Sequence, residues 1–260
     1  MEQSVIATKL YIPKLRPGLV MRPRLLERLN GGIHARLTLI AAPAGFGKST
    51  LLSQWIEQFG GPVAWLALDP DDNDPIRFWT YAITALRTRL PEIGTQALGL
   101  LKTPQPTPLS TILAHLVNDL AQLPGEIVLV LDDYHEISAE PIHESLGYLL
   151  DHLPPQFHLI LATRMDPPLP LPRLRVRGEL TELRAADLRF SESEAGAFFS
   201  QAMGLSLTPA QVKTLESRTS NSQYGAEATE EGTKGGGLCR WSKGNQDNGL
   251  MWRPPDEKRE

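Results

Sequence analysis

The stretch from Leu37 to Ser49 carries the residues best suited to chemistry. It reads LTLIAAPAGFGKS, an apolar run followed by small residues, two glycines, a lysine and a serine. Gly45 and Gly47 let the backbone approach an anion and turn its N–H groups towards it. Lys48 can reach β- and γ-phosphates, and the Ser49 hydroxyl can ligate Mg²⁺. We therefore predict a phosphate-binding P-loop, whose residues are Ala42, Pro43, Ala44, Gly45, Phe46, Gly47, Lys48, Ser49 and Thr50.

A strand and a helix must hold this loop. Apolar residues recur at helical spacing after Thr50, so the loop joins a predicted strand to a helix whose N-terminus adds positive charge. Ala42 stands where the full pattern has glycine, and we treat this small residue as tolerated. The alternative is a glycine-rich turn with an exposed lysine.

A second chemical signal lies at Asp132 and Asp133, which end the apolar run of EIVLVLDDY. A central parallel strand would deliver both carboxylates to the sheet edge that also carries the P-loop. Asp132 is then placed to hold Mg²⁺ opposite the Ser49 hydroxyl, and Asp133 to polarise an attacking water. The alternative is a strand that ends in a polar turn.

Arg164 follows a further apolar run, FHLILAT. At the tip of a strand beside the acidic one, it is placed to contact a γ-phosphate as a catalytic residue with Lys48 and Asp133. A surface arginine at a sheet edge is the alternative. The acidic run from Asp69 to Asp74 fails the EF-hand spacing, so we interpret it as a helix start, capped by Asp74, and a solvated loop.

Composition excludes several classes of protein. The 260 residues hold one cysteine, Cys239, which leaves no intrachain disulfide and no cysteine-based metal cluster, and the histidines show no zinc-ligand spacing. No apolar run is long enough to span a bilayer and the N-terminus does not resemble a secretory signal, so we expect a cytoplasmic protein without a membrane partner. The net charge of −4 argues against bulk attraction to nucleic acid.

Strands alternate with helices, which predicts an α/β fold with a mostly parallel five-stranded sheet between helices. We divide the chain into an N-terminal arm (1–30), a P-loop NTPase domain (31–185), a helical segment that starts another subdomain (186–218) and a disordered tail (219–260). Ser191 and Glu194 form a capping box that opens the helical segment. The arm either packs on a nucleotide base or is a plain extension. Only one strand separates the P-loop strand from the acidic strand in sequence, which favours the P-loop branch with another strand between them in space.

Several motifs occur in an order that resembles a known family. They are TKLYIP, VMRPRLLERL, APAGFGKST, WLALDPDDNDPIRF, LVLDDYH, LILATRMDPPLPL and ELTELRAADLRF, which together cover about residues 5–218. The chain is similar to the N-terminal ATPase region of the MalT-like, large LuxR-family transcriptional regulators, within the STAND group of P-loop NTPases. The resemblance implies that phosphates and metal are bound by Gly45, Gly47, Lys48, Ser49 and Thr50. It also implies Asp132 as the metal carboxylate, Asp133 as its catalytic neighbour and Arg164 as the phosphate sensor.

The family implies a switch in which ATP and an inducer favour a self-associated state, and slow hydrolysis or ADP favours a monomer. Its members continue into inducer-binding helical repeats and a DNA-binding helix-turn-helix, which this sequence lacks. Because the polar tail from Ser220 replaces an expected apolar helix, we expect a truncated or frameshifted form. A stand-alone P-loop ATPase, such as a AAA-type motor or loader, is the alternative. A small-molecule kinase would need an acceptor-binding lid, which we do not find.

Overall fold

The computed structural model describes residues 5–105 and 107–198, together with the short segments 241–242 and 251–252. Contacts divide the chain into a unit of Met1–Leu207 and a unit of Thr208–Glu260. In the second unit, Trp241–Ser242 and Met251–Trp252 pair as antiparallel strands. The second part of the predicted helical segment (199–218) and most of the predicted disordered tail lie outside the described residues.

The first unit is built on a five-stranded parallel sheet, as the sequence predicts. Its strands are β1 (Leu37–Ala41), β2 (Val63–Ala67), β3 (Ile127–Asp132), β4 (Phe157–Thr163) and β5 (Leu180–Arg184). Their order across the sheet is β2-β3-β4-β1-β5. The strand β4 therefore separates the P-loop strand β1 from the acidic strand β3, which confirms the expected branch of P-loop folds.

Eight helices surround this sheet in the described part of the first unit. They are α1 (Pro23–Gly32), α2 (Lys48–Phe59), α3 (Pro75–Arg87), α4 (Thr95–Leu101), α5 (Leu109–Ala121), α6 (Glu140–His152), α7 (Leu171–Val176) and α8 (Glu192–Ala197). Three short 3-10 helices add to them, at Ala7–Leu10, Pro70–Asn73 and Tyr134–Glu136. None of the described helices combines the length and the apolar character needed to cross a bilayer.

Side chains that alternate along the strands form two cores. One face of the sheet, which includes Leu39 and Leu129, packs against α3, α4, α5, α6 and α7. The other face, which includes Ile40 and Val130, packs against α1 and α2. Successive strand residues point to opposite faces, so continuously apolar strands are the pattern that a sheet covered on both sides requires.

The N-terminal arm contacts the two opposite edge strands or their flanks. Its 3-10 helix Ala7–Leu10 packs against β2, where Lys9 forms a salt bridge with Asp72. Further along, Arg22 donates a hydrogen bond of 2.6 Å to the carbonyl oxygen of Leu188, just beyond β5. One N-terminal segment thus lies against elements at both edges of the sheet.

Three helices have bounds or positions that residue types alone do not predict. The helix α1 extends through Gly32, although glycines typically end helices. The helix α2 begins at Lys48, ahead of the expected Thr50. The Pro- and Arg-rich connector after β4 contains α7, because Leu171 and Leu174 pack into the sheet core. For α1, whose Gly32 lies against Thr181 of β5, and for α7, burial against the sheet outweighs local sequence preference.

Candidate functional site

The P-loop lies between β1 and α2, and its two glycines have left-handed backbone conformations. Gly45 has φ of 84° and Gly47, which directly precedes α2, has φ of 74°. A Cβ atom at either position would meet nothing within 4 Å, so the backbone angle rather than crowding calls for glycine. Ala42 is buried and has no positive φ. Alanine at this position is therefore compatible with the loop.

Lys48 lies at the start of α2 with its side chain buried. Its Nζ donates hydrogen bonds to the carbonyl oxygens of Ala42 (2.9 Å) and Pro43 (3.2 Å). Burial lowers the pKa of Lys48, and the charge of Arg164 lowers it further, whereas the carboxylates of Asp133 and Asp132 oppose the shift. The ammonium group is thus desolvated within the loop that would wrap a phosphate, which favours contact with an anion.

Ser49 and Asp132 face each other across the site. The Ser49 hydroxyl donates a hydrogen bond of 2.7 Å to Oδ2 of Asp132 at the end of β3. Burial raises the pKa of Asp132 to about 6, the charge of Asp133 adds to the shift, and the Ser49 hydrogen bond opposes it. A positive ion at this position would relieve the cost of burying the carboxylate.

These two oxygen donors fit Mg²⁺. Mg²⁺ prefers oxygen ligands and is usually held by one or two protein groups together with phosphate oxygens and water. Within the described residues, no cluster of three or more His, Cys, Asp or Glu side chains could hold a metal. Ser49 and Asp132 would therefore supply the protein ligands, and the nucleotide and solvent would supply the others.

Asp133 follows directly, in an unusual conformation. Its φ of 55° makes it the one non-glycine residue with a positive φ among those described, and its side chain is half-exposed. Its backbone N–H donates a hydrogen bond of 3.0 Å to Oδ1 of Asp132. Backbone conformations of this kind cost energy and concentrate at functional sites, which supports a role for the position.

Arg164 is exposed immediately after β4, the strand between β1 and β3. The Thr163 hydroxyl stabilises the turn by donating a hydrogen bond of 2.8 Å to the carbonyl oxygen of Met165. The charge of Arg164 contributes to the lowered pKa of Lys48, so it acts on the P-loop lysine. The structure thus brings together the four residues that the sequence analysis selects from separate segments: Lys48, Asp132, Asp133 and Arg164.

Two further residues at this edge have no role in the sequence analysis. His135 has a side chain only 8% exposed, beside Asp133. Asn73 accepts hydrogen bonds from the N–H groups of Ser138 (2.6 Å) and Ala139 (3.0 Å), and donates one of 2.8 Å to the carbonyl oxygen of Glu136. His135 follows the acidic pair with one residue between them, which is a signal visible in the sequence. The contacts of Asn73 are not visible there, because they join segments more than 60 residues apart.

The acidic run also differs from its expected form. Asp74 caps α3 as predicted, through a hydrogen bond of 2.7 Å from the N–H of Arg77. Asp72, however, is completely buried, and it forms salt bridges with Lys9 and Arg77. The interpretation of this run as a solvated loop is therefore wrong for Asp72, because the arm supplies a cation that compensates its buried charge.

A cavity of about 240 Å³ lies between the start of α1 and α8. Val20, Met21 and Pro23 provide apolar walls, and Glu194 of α8 lines it from the other side. Arg24 donates two hydrogen bonds of 3.1 Å to the Glu194 carboxylate, which ties the two walls together. The two sequence interpretations of the arm, packing on a nucleotide base and a plain extension, stay predictions.

Comparisons with known proteins point to one family. A family model described as "AAA ATPase domain" matches residues 23–162, more than half of the chain. The HTH-type transcriptional regulator MalT of Yersinia enterocolitica is 38% identical over 195 residues, which cover 75% of this chain and 22% of that protein. The serine/threonine-protein kinase PknK of Mycobacterium tuberculosis is 35% identical over 235 residues, which cover 89% of this chain and 21% of the kinase.

The chain thus spans about a fifth of the length of these two relatives. Among solved structures, Cdc6p from Pyrobaculum aerophilum matches 82% of this chain and 58% of its own, with 16% identity and a TM-score of 0.46.

Proposed function

Because the chain belongs to the AAA ATPase domain family, we propose that it binds ATP with Mg²⁺ and serves as a slowly hydrolysing nucleotide switch. The observation that carries this proposal is the meeting of the P-loop lysine, the Ser49–Asp132 pair and Arg164 at one sheet edge. The similarity to MalT supports a switch within a MalT-like regulator. A single cysteine in 260 residues is consistent with the proposed cytoplasmic location.

Binding would use groups that already lie in the loop. Backbone N–H groups around Gly45 and Gly47 and the N-terminus of α2 would surround the phosphates. The Lys48 ammonium would exchange its contacts with the Ala42 and Pro43 carbonyl oxygens for β- and γ-phosphate oxygens. The Ser49 hydroxyl and the Asp132 carboxylate would hold Mg²⁺, which supplies charge neutralisation at the phosphates when bound.

Hydrolysis would use Asp133 and Arg164. The Asp133 carboxylate accepts a hydrogen bond from water and takes its proton as the water oxygen bonds to the γ-phosphorus. The bond from that phosphorus to the bridging oxygen breaks, and ADP leaves with the bond's electron pair. Arg164 stabilises the negative charge on the γ-phosphoryl oxygens.

A binding measurement tests the proposal first. We expect Lys48→Ala to lower ATP affinity by about 100-fold or more, because the variant loses a desolvated charge that contacts two phosphates. Isothermal titration calorimetry of the 260-residue chain measures this change. Lys102→Ala, which removes an exposed lysine outside the site, is the matched control and should bind as the wild type does. Unchanged affinity in Lys48→Ala would count decisively against the site.

A turnover measurement tests the role of Asp133. Asp133→Asn keeps the size of the side chain and removes the base, so we expect ATP affinity within about twofold of wild type and hydrolysis slower by about 100-fold. Phosphate release under single-turnover conditions measures the rate. Wild-type turnover in this variant would remove the assigned role while leaving the binding site intact.

The stand-alone ATPase remains the second candidate, because the matched family model describes an ATPase domain and does not specify a switch. The wild-type rate separates the two functions. A switch binds ATP tightly and hydrolyses it slowly, whereas a motor or loader turns over steadily and responds to a polymer substrate.

A further inference from the structure

The side chain of His135 is largely buried and lacks hydrogen-bond partners in the described part of the chain. Its side chain is 8% exposed, and neither ring nitrogen has a partner within residues 5–105 and 107–198. Buried polar groups in proteins are nearly always hydrogen-bonded, so each exception needs a physical explanation. One explanation is a ligand or a substrate water that completes the hydrogen bonding when it is bound.

The other buried histidines of this chain provide a comparison. His143 Nδ1 lies 2.8 Å from the hydroxyl of Tyr134. His158 contacts the carbonyl oxygen of Ala35 at 2.6 Å through Nδ1 and the hydroxyl of Thr38 at 3.0 Å through Nε2. Both have the polar contacts expected of structural histidines. The ring nitrogens of His135 lack such contacts. Unlike the other two histidines, His135 lies beside Asp133, at the sheet edge that carries the P-loop.

The surroundings of His135 belong to the phosphate site. Its Nδ1 lies 3.9 Å from Oδ1 of Asp133, too far for a hydrogen bond, so neither the carboxylate nor solvent satisfies this nitrogen. Its Nε2 lies 3.2 Å from Oε1 of Glu136 without the alignment of a hydrogen bond. The charge of Arg164, and more weakly that of Lys48, acts on the ring. The imidazole therefore lies beside the proposed base and near both proposed phosphate-binding cations.

The ring is held in this place by its short helix. His135 is the central residue of the 3-10 helix Tyr134–Glu136. Tyr134 is fully buried and anchored to His143, while Asn73 binds the carbonyl oxygen of Glu136 and the N–H groups that follow it. A side chain on a segment fixed on both sides is preorganised for a contact, which is what catalytic positioning requires.

We propose that His135 is a further catalytic residue, which hydrogen-bonds the water that attacks the γ-phosphorus jointly with Asp133. The proposal rests on the ATP hydrolysis proposed above. In that step the water proton passes to the Asp133 carboxylate, the water oxygen bonds to phosphorus and ADP leaves. The imidazole orients the water and undergoes no net change in protonation. Burial and the charge of Arg164 lower the pKa of His135, which is consistent with a neutral ring near pH 7.

Two substitutions in the full 260-residue chain test this role. His135→Phe preserves most of the ring volume and removes both nitrogens, whereas His135→Asn keeps a polar atom near the position of Nδ1. The readouts are single-turnover ATP hydrolysis and calorimetric affinities for ADP and a non-hydrolysable ATP analogue. His152→Phe, at an exposed position of α6, is the control for replacing a histidine by phenylalanine.

We expect His135→Phe to slow hydrolysis by about 100-fold with ADP and analogue affinities within about twofold of wild type. His135→Asn should recover about tenfold of the lost rate, since its amide can still contact the water. The proposal is overturned if His135→Phe hydrolyses ATP as the wild type does. It is also overturned if turnover and ADP affinity fall in parallel, which would show a role in building the site.

Measurements of ATP binding and hydrolysis by the wild-type chain separate the catalytic role of His135 from the proposed function on which it rests. Absence of ATP binding in the wild type would overturn the proposed function and this inference together. ATP binding without any hydrolysis would overturn the catalytic role of His135 and leave nucleotide binding in place. Normal hydrolysis in His135→Phe with a normal wild type would overturn this inference alone.

Discussion

At the scale of single residues, His158 shows how a histidine contributes to the core without contributing to the site. It lies on β4, and its ring contacts Ala35 and Thr38 on the side of the sheet that faces α1 and α2. The proximity of Nδ1 to a carbonyl oxygen favours the tautomer with the proton on Nδ1, with Nε2 accepting from the Thr38 hydroxyl. Burial lowers the pKa of His158 to about 4. Protonation of the ring and folding therefore oppose each other.

This shift predicts a pH-dependent free energy of unfolding. As the pH falls, the unfolded histidine, with a pKa of about 6.5, binds a proton before the folded one does. The contribution of His158 to the free energy of unfolding is therefore fully present above pH 6.5 and is lost as the pH drops towards 4. Between pH 7.5 and 5 we expect the wild type to lose about 2 kcal/mol more than His158→Gln. Urea unfolding at both pH values measures the difference, and the comparison removes the contributions of other groups. Equal losses in the two proteins would contradict the shift.

Single residues also show what local sequence can predict about the site. The segment from Ala42 to Thr50 is contiguous, and the chemistry of its residue types follows from order and spacing alone. Asp132, Asp133 and Arg164 are predictable because parallel strands end at one sheet edge. The sequence shows that His135 lies near the acidic pair, but it does not predict that the ring nitrogens lack hydrogen-bond partners. That property depends on how the short helix packs in the folded chain.

At the scale of elements, Asn73 connects the 3-10 helix Pro70–Asn73 to the segment that follows β3. Its side chain satisfies the carbonyl oxygen of Glu136 and the N–H groups of Ser138 and Ala139. The loop that carries Asp133 and His135 is thereby tied to the end of β2. The acidic run around Asn73 is visible in the sequence, but this connection is not, since each contact joins residues at least 63 positions apart.

Removing that connection should weaken both the fold and the site. We expect Asn73→Ala to lower the free energy of unfolding by about 1–2 kcal/mol, because several backbone groups lose their partner and solvent replaces it only partly. The rate of ATP hydrolysis should fall by a larger factor than the affinity for ADP, since the segment that Asn73 holds in place carries Asp133. Urea unfolding and single-turnover assays provide the two measurements.

The control for Asn73 comes from the same short helix. Asp71 is exposed, and Asp71→Ala should change the free energy of unfolding by less than about 0.5 kcal/mol. If Asn73→Ala and Asp71→Ala behave alike, the side-chain contacts of Asn73 contribute little and the loop is held by its backbone.

At the scale of the molecule, the parallel sheet follows from alternating apolar strands and helices, whereas the path of the N-terminal segment does not. Lys9 reaches Asp72 beside β2, and Arg28 reaches Asp187 beyond β5 with a contact of 2.6 Å. Each pair joins residues far apart in sequence, and charged residues of this kind are common on surfaces. Charge type alone therefore does not identify the partners. The folded chain is needed to show that Lys9 and Arg28 lie against opposite flanks of the sheet.

The proposed switch makes its own prediction at this scale. If ATP favours a self-associated state, a ligand that binds the associated form better than the monomer must shift the population towards it. Sedimentation velocity of the 260-residue chain with ADP should show a monomer, and a non-hydrolysable ATP analogue should produce a larger species. Lys48→Ala should remain monomeric with either nucleotide, because it lacks the binding energy that drives the shift. If the analogue binds tightly and the wild type stays monomeric, nucleotide binding does not drive assembly in this chain. The proposed coupling between ATP binding and self-association would then be wrong even though the site is occupied.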